Sequence, residues 1–195
     1  MFNFKKFALT LFATVLLSLG VVIGSYAKSS PDTLVFVGEY LGQLDFIEGR
    51  LLDLLDAMPQ ERMAWEPADG VRNTAEVYLH VAESNYSLAS KMGADVPKTE
   101  RGTIEKSTTD KEKVAETLKE SFTVVKEAAG NLTDEELNKI IQTPFGMDMS
   151  LRNFMISLLN HMHEHLGQGI VYARVSGVIP PWSDKQDSDS DGDGK

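Results

Sequence analysis

At 195 residues without a cysteine, the chain is long enough to bury one hydrophobic core and must do so without disulfides. The missing thiol also excludes thiolate metal sites, cysteine nucleophiles and a lipid anchor on cysteine. A formal net charge of −10 works against nucleic-acid binding, which rewards a basic surface, and against adhesion to an anionic membrane.

Lys5 and Lys6 precede an uncharged apolar run from Phe7 to Ile23, and Ser25-Tyr26-Ala27 sets small residues at the −3 and −1 positions of a cleavage site. This order is that of a secretory signal peptide over residues 1–27, cleaved after Ala27. The alternative is an N-terminal membrane anchor, since the run approaches the roughly 20 residues that span a bilayer. On either reading Lys28 onward is expected outside the cytoplasm, periplasmic or extracellular. Cleavage removes two lysines and no acid, so the mature chain is more acidic still and keeps no stable membrane association.

Ser30 and Pro31 suit the cap and first turn of a helix. From Leu34 to Met58 apolar residues recur at three- and four-residue steps, which predicts a long amphipathic helix ended by Pro59. Glu61–Arg72, with Trp65, Pro67 and Gly70, reads as a connector. Asn73 or Thr74 caps a second helix that runs to about Met92 and stops at Gly93. Residues 94–109 are polar and without periodicity, hence a loop. Thr109 or Asp110 caps a third helix to about Ala129, ended by Gly130-Asn131.

Thr133–Glu136 opens a short helical turn through Ile140, and Pro144-Phe145-Gly146 is a turn signal. Ser150 caps the last long helix, from Leu151 to about Ser176. The expected fold is all-α, a four-helix bundle over residues 28–183. Residues 184–195 form an acidic tail without an apolar residue, expected to be disordered. Asp187, Asp189 and Asp191-Gly192 have EF-hand-like spacing, but the chain ends before the acid that such a loop needs at its twelfth position.

The chain holds four histidines, and three stand within five residues: His161, His163 and His165. Four residues advance an α-helix by about 400°, so His161 and His165 share a face while His163 points elsewhere. Their face belongs to the stripe Leu151, Phe154, Leu158, His161, His165, Gln168 and Tyr172, which begins as the core stripe. On the second helix Val77, His80, Val81, Ser84 and Leu88 share a face, so His80 also points inward. Neutral imidazole is a good ligand for first-row metals, and three of them leave a coordination position free for water or substrate. His80, His161 and His165 are therefore the candidate ligands of one divalent transition metal, Zn, Ni, Fe or Mn.

His80-x-x-Glu83 and His161-x-x-Glu164 repeat one offset, and either acid can orient a ligand or take a proton. Glu164 is the candidate general base. Di-iron bundles use the reverse order, Glu-x-x-His, with a lone Glu on each of two further helices. Glu39 and Glu48 have no matched partner for that role, so a single ion is expected. The run 161–165 also spells H-x-x-E-H, a peptidase motif whose further downstream Glu ligand is missing here.

Asn160-His161-x-x-Glu164-His165-x-Gly167-Gln168, followed by Tyr172-x-Arg174-x-x-Gly177 and Pro180-Pro181, resembles the closing helix of the DinB superfamily. Met63-Ala64-Trp65-x-Pro67 and the helix bearing His80-Val81 resemble that family's second-helix region. The resemblance covers about Leu34 to Trp182 and implies a DinB/YfiT-like four-helix bundle, often a homodimer. It also implies a metal on three histidines at the positions of His80, His161 and His165. Many members carry another histidine just before the last ligand, where this chain has Glu164.

Characterised members are thiol-dependent transferases or isomerases, but their thiol cofactors are chiefly cytosolic and this chain is expected to be exported. The function expected is therefore a metal-dependent enzyme of hydrolase or transferase type acting on an unidentified small molecule. The alternative is a non-catalytic metal- or ligand-binding bundle with its pocket between the first, second and last long helices.

Overall fold

The computed structural model describes residues 29–183; the expected signal segment and acidic tail lie outside the described residues. Four long helices carry the fold: α1 (Pro31–Ala57), α2 (Thr74–Lys91), α3 (Lys111–Gly130) and α5 (Leu151–Val175). A five-residue helix α4 (Asp134–Asn138) and two three-residue strands, β1 (Ile140–Gln142) and β2 (Asp148–Ser150), join α3 to α5. No helix among the described residues is long and apolar enough to cross a membrane.

Each long helix starts where a side chain can accept from otherwise unpaired amides of the first turn. The Ser30 hydroxyl accepts from the Thr33 N–H, with Pro31 in the first turn. Asn73 and Glu76 form a reciprocal capping box at the start of α2. Asp110 accepts from Glu112 and Lys113, and Ser150 from Asn153.

The strand pair was not anticipated. β1 and β2 run antiparallel, pairing Ile140 with Ser150 and Gln142 with Asp148. The connecting turn has Pro144 and Phe145 at its tip and Gly146 at φ +77°, a backbone state that favours glycine. Ile140, expected to end the short helix, instead begins β1, because α4 stops at Asn138.

The packing order around the bundle differs from the order along the chain. α1 packs against α3 and α5, and α2 packs against the same two, so α1 and α2 stand at opposite corners. The core is continuous through Leu44, Leu51 and Leu54 of α1, Tyr78 and Leu88 of α2, Phe122 of α3, and Phe154 and Met162 of α5. Gly169 is buried where α5 meets its neighbours; a methyl group there would lie 3.3 Å from Leu54 Cδ2 and 3.6 Å from the Tyr78 hydroxyl oxygen. The consequence for function is the α2–α5 contact, which sets His80 beside the last helix.

Candidate metal centre

His80, His161 and His165 converge as their inward faces predict. The Nε2 atoms of His80 and His161 are 3.0 Å apart, and those of His161 and His165 are 3.1 Å apart. Their rings meet at tilted or edge-on angles, with centroids 4.5–5.0 Å apart. His163 is exposed, its Nδ1 2.9 Å from the Leu159 carbonyl oxygen, and takes no part.

The tautomers follow from the groups behind each ring. The Tyr172 hydroxyl donates to the Arg72 carbonyl at 3.0 Å, an oxygen that can only accept. The Tyr172 oxygen in turn accepts from the Gln168 amide nitrogen at 2.9 Å, which turns the Gln168 carbonyl oxygen toward His165. His165 Nδ1, 2.9 Å from that oxygen, therefore carries the proton and Nε2 is left as a lone pair. Trp65 packs edge-on against Tyr172, with ring centroids 5.4 Å apart, and holds this relay in place.

His80 is fixed from the other side. Its Nδ1 lies 2.6 Å from the carboxylate of Glu105, which Arg72 grips through its Nε at 2.7 Å. Arg72 also brings a terminal nitrogen to 3.2 Å from the same Nδ1, but the shorter contact is the carboxylate's. Burial alone would raise the Glu105 carboxyl; hydrogen bonds from Arg72 and His80, with their charge, outweigh it and hold the carboxyl below its ordinary range. An ionised Glu105 makes His80 Nδ1 the donor, so in the neutral ring that a metal ligand requires His80 Nε2 also presents a lone pair.

Hydrogen bonding leaves this arrangement one proton short. The bare Nε2 atoms of His80 and His165 both face His161 Nε2, which can carry only one hydrogen. His161 Nδ1 is buried without a partner, so either tautomer of that ring leaves a polar atom unpaired. A cation shared by the three nitrogens removes the conflict. At a metal–nitrogen distance of about 2.0–2.1 Å, tetrahedral ligands stand roughly 3.3 Å apart, close to the spacing seen. The three side chains thus can hold a metal ion, their ligand atoms lying within 4.8 Å of one another.

The electrostatics suit neutral ligands. Burial lowers the His161 pKa from 6.5 to about 4, with smaller electrostatic contributions from the neighbouring His165, His80 and Arg72. Burial also lowers His165, against the opposing pull of Gln168 and Glu164. Both shifts favour the neutral imidazole that metal ligation requires.

The acids are arranged differently from the sequence expectation. Glu83 does not reach an imidazole; its two oxygens accept from the Gly102 and Glu105 amides at 2.6 and 3.1 Å and so fasten the 94–109 loop to α2. Gly102, at φ +85°, supplies the left-handed backbone that this turn requires. Glu164 is exposed and influences His165 through its charge. Glu48 is engaged with Lys126 of α3 at 2.7 Å. The acid that touches the triad is Glu105, which sequence reasoning passed over because it lies in a loop without periodicity.

A cleft of about 330 Å³ opens beside the triad, with His80 and His161 in its wall. It is bounded by α2, the 94–109 loop, the β1–β2 turn and α5. The first helix, expected to line it, contributes nothing, because α1 stands at the corner opposite α2.

The family model of the DinB superfamily matches residues 43–168. Three solved structures share the fold. A DinB-like protein from Bacillus cereus is 24% identical with a TM-score of 0.63, covering 73% of this chain and 93% of its own. A DinB-like protein from Bacillus subtilis is 16% identical with a TM-score of 0.57, covering 71% and 92%. YfiT from Bacillus subtilis, described as a probable metal-dependent hydrolase with an unusual four-helix bundle topology, is 18% identical with a TM-score of 0.60, covering 80% and 96%. No curated protein matches the chain. With the bundle, the triad and the family match in agreement, the chain belongs to the DinB superfamily.

Proposed function

We propose that this chain is an exported metal-dependent enzyme of hydrolase or transferase type, using one divalent ion on His80, His161 and His165. The observation that carries the reading is the convergence of three Nε2 atoms at the wall of a cleft, two of them on rings whose tautomers are fixed from behind. A divalent ion bound there supplies Lewis acidity, polarising an oxygen of substrate or water. The protein's own part is to favour the neutral form of His161 and His165, to aim His80 and His165 through Glu105 and Gln168, and to admit a small molecule alongside. The description of YfiT as a probable metal-dependent hydrolase supports the same reaction class. Glu164 is retained as the candidate base from its place next to His165. Export rests on the pattern of residues 1–27.

Metal analysis tests the core of this proposal. Wild-type protein purified without an affinity tag is expected to hold about one divalent ion per chain, and a His161→Ala, His165→Ala double variant to hold none. Metal-dependent turnover of ester, amide or phosphoester probes should disappear in the same variant. A wild type that takes up no divalent ion even after reconstitution would refute the assignment. For export, the mature N-terminus is expected at Lys28 by mass spectrometry; an intact Met1 would contradict cleavage.

A further inference from the structure

We propose that the cleft beside the triad binds a small molecule with a metal-ligating head and an uncharged aromatic or aliphatic body laid against Phe145. The inference rests on the proposed metal site and adds what the neighbouring cleft selects. His80 and His161 line the cleft and His165 does not, so the cleft meets the triad along its His80–His161 edge.

Beyond the imidazoles, apolar groups supply a large part of the lining. Phe154 and Leu158 of α5 are nearly fully buried and form part of one side. Val96 and Ile104 of the loop and Pro144 and Phe145 of the β1–β2 turn complete the apolar lining. Hydroxyls of Ser84 and Ser87 on α2 offer neutral hydrogen bonds among these groups. Such a lining, in which apolar surface exceeds polar surface and imidazoles stand at one edge, is the pattern of a small-ligand site.

Charge narrows the class. Among the lining acids, Glu83 already accepts from two loop amides. Glu100 and Arg101 are exposed, adjacent in sequence and opposite in sign, so the rim gives neither an anion nor a cation a clear preference. Among the described residues, no other acidic or basic side chain lines the cleft apart from the imidazoles.

Size narrows it further, because about 330 Å³ lies at the small end of ligand pockets. Phe145 is 58% exposed at the tip of a tight turn, with its ring available to a ligand. A ligand body lying along the cleft would take that ring out of water.

Two hydroxamates test this directly, since both carry the same chelating head and only one carries a ring. The full chain is loaded with zinc, its zinc content measured, and acetohydroxamate and benzohydroxamate affinities compared by calorimetry. Burying a phenyl group is expected to give benzohydroxamate about a tenfold advantage or more. Phe145→Ala should reduce that advantage to about threefold or less, and a 4-carboxylate on the ring should weaken binding of the wild type. Equal affinities, an advantage untouched by Phe145→Ala, or tighter binding of the carboxylate would each overturn the proposal. If the chain retains no zinc, the metal reading fails as well; with zinc bound and no advantage, the cleft assignment alone fails.

Discussion

Because Glu105 accepts from both Arg72 and His80, removing its charge disturbs two donors together. Arg72 would lose its partner, and His80 would lose the group that keeps its proton on Nδ1. Glu105→Gln is therefore expected to weaken zinc affinity about 10- to 100-fold without abolishing the site, read by competition with a chelating dye. Unchanged affinity would remove Glu105 from any role in ligation. A pH effect belongs to the same scale. His161 has a folded pKa of about 4 against an ordinary 6.5, so folding favours its neutral form. Its contribution is complete above about pH 6.5 and is lost as pH falls toward 4. With metal chelated, urea midpoints should fall across that window in the wild type and fall less in His161→Gln; parallel profiles would contradict the assignment.

The convergence of the three histidines was legible in sequence because an i, i+4 pair and an inward stripe are both helical periodicities. Glu105 was not, since it comes to His80 through a loop whose path depends on Glu83 and on Gly102 at positive φ.

Among the elements, the start of α2 governs where His80 stands, two turns into the helix. Asn73 accepts from the Glu76 amide at 2.9 Å, while the Glu76 carboxylate accepts from the Asn73 amide at 2.9 Å. Asn73→Ala is expected to cost about 1 kcal/mol by urea denaturation, with metal stoichiometry retained. A variant as stable as wild type would show the cap to be redundant. The long helices could be read from sequence because caps, apolar stripes and stop signals agreed at their ends. The β1–β2 pair could not, because three-residue strands are too short for an alternating pattern to emerge. Only the turn residues Pro144-Phe145-Gly146 announced it, and they specify a reversal without saying what flanks it.

For the whole molecule, the order in which the helices pack was the part that local sequence signals could not supply. Stripes tell which face of a helix is buried, but α1 and α2 at opposite corners is a choice among packings that bury similar faces. That choice would make an ion bound by the three histidines a clamp between α2 and α5, two neighbours far apart in sequence. An ion that binds only the folded chain stabilises it by mass action, about 4 kcal/mol at a thousandfold excess over Kd. For a domain of this size, that corresponds to a rise in Tm on the order of 10 °C, read by calorimetry with and without zinc. A Tm that does not respond to zinc would mean that no ion bridges the two helices.

The proposed function stands on one ion held by three imidazoles and no fourth protein ligand. X-ray absorption at the zinc edge of the loaded chain tests it most directly. Three imidazole nitrogens are expected at about 2.0–2.1 Å, with the remaining scattering from an exchangeable light atom that hydroxamate displaces. A shell closed by four protein ligands, or one in which His161→Ala leaves the imidazole count unchanged, would contradict it.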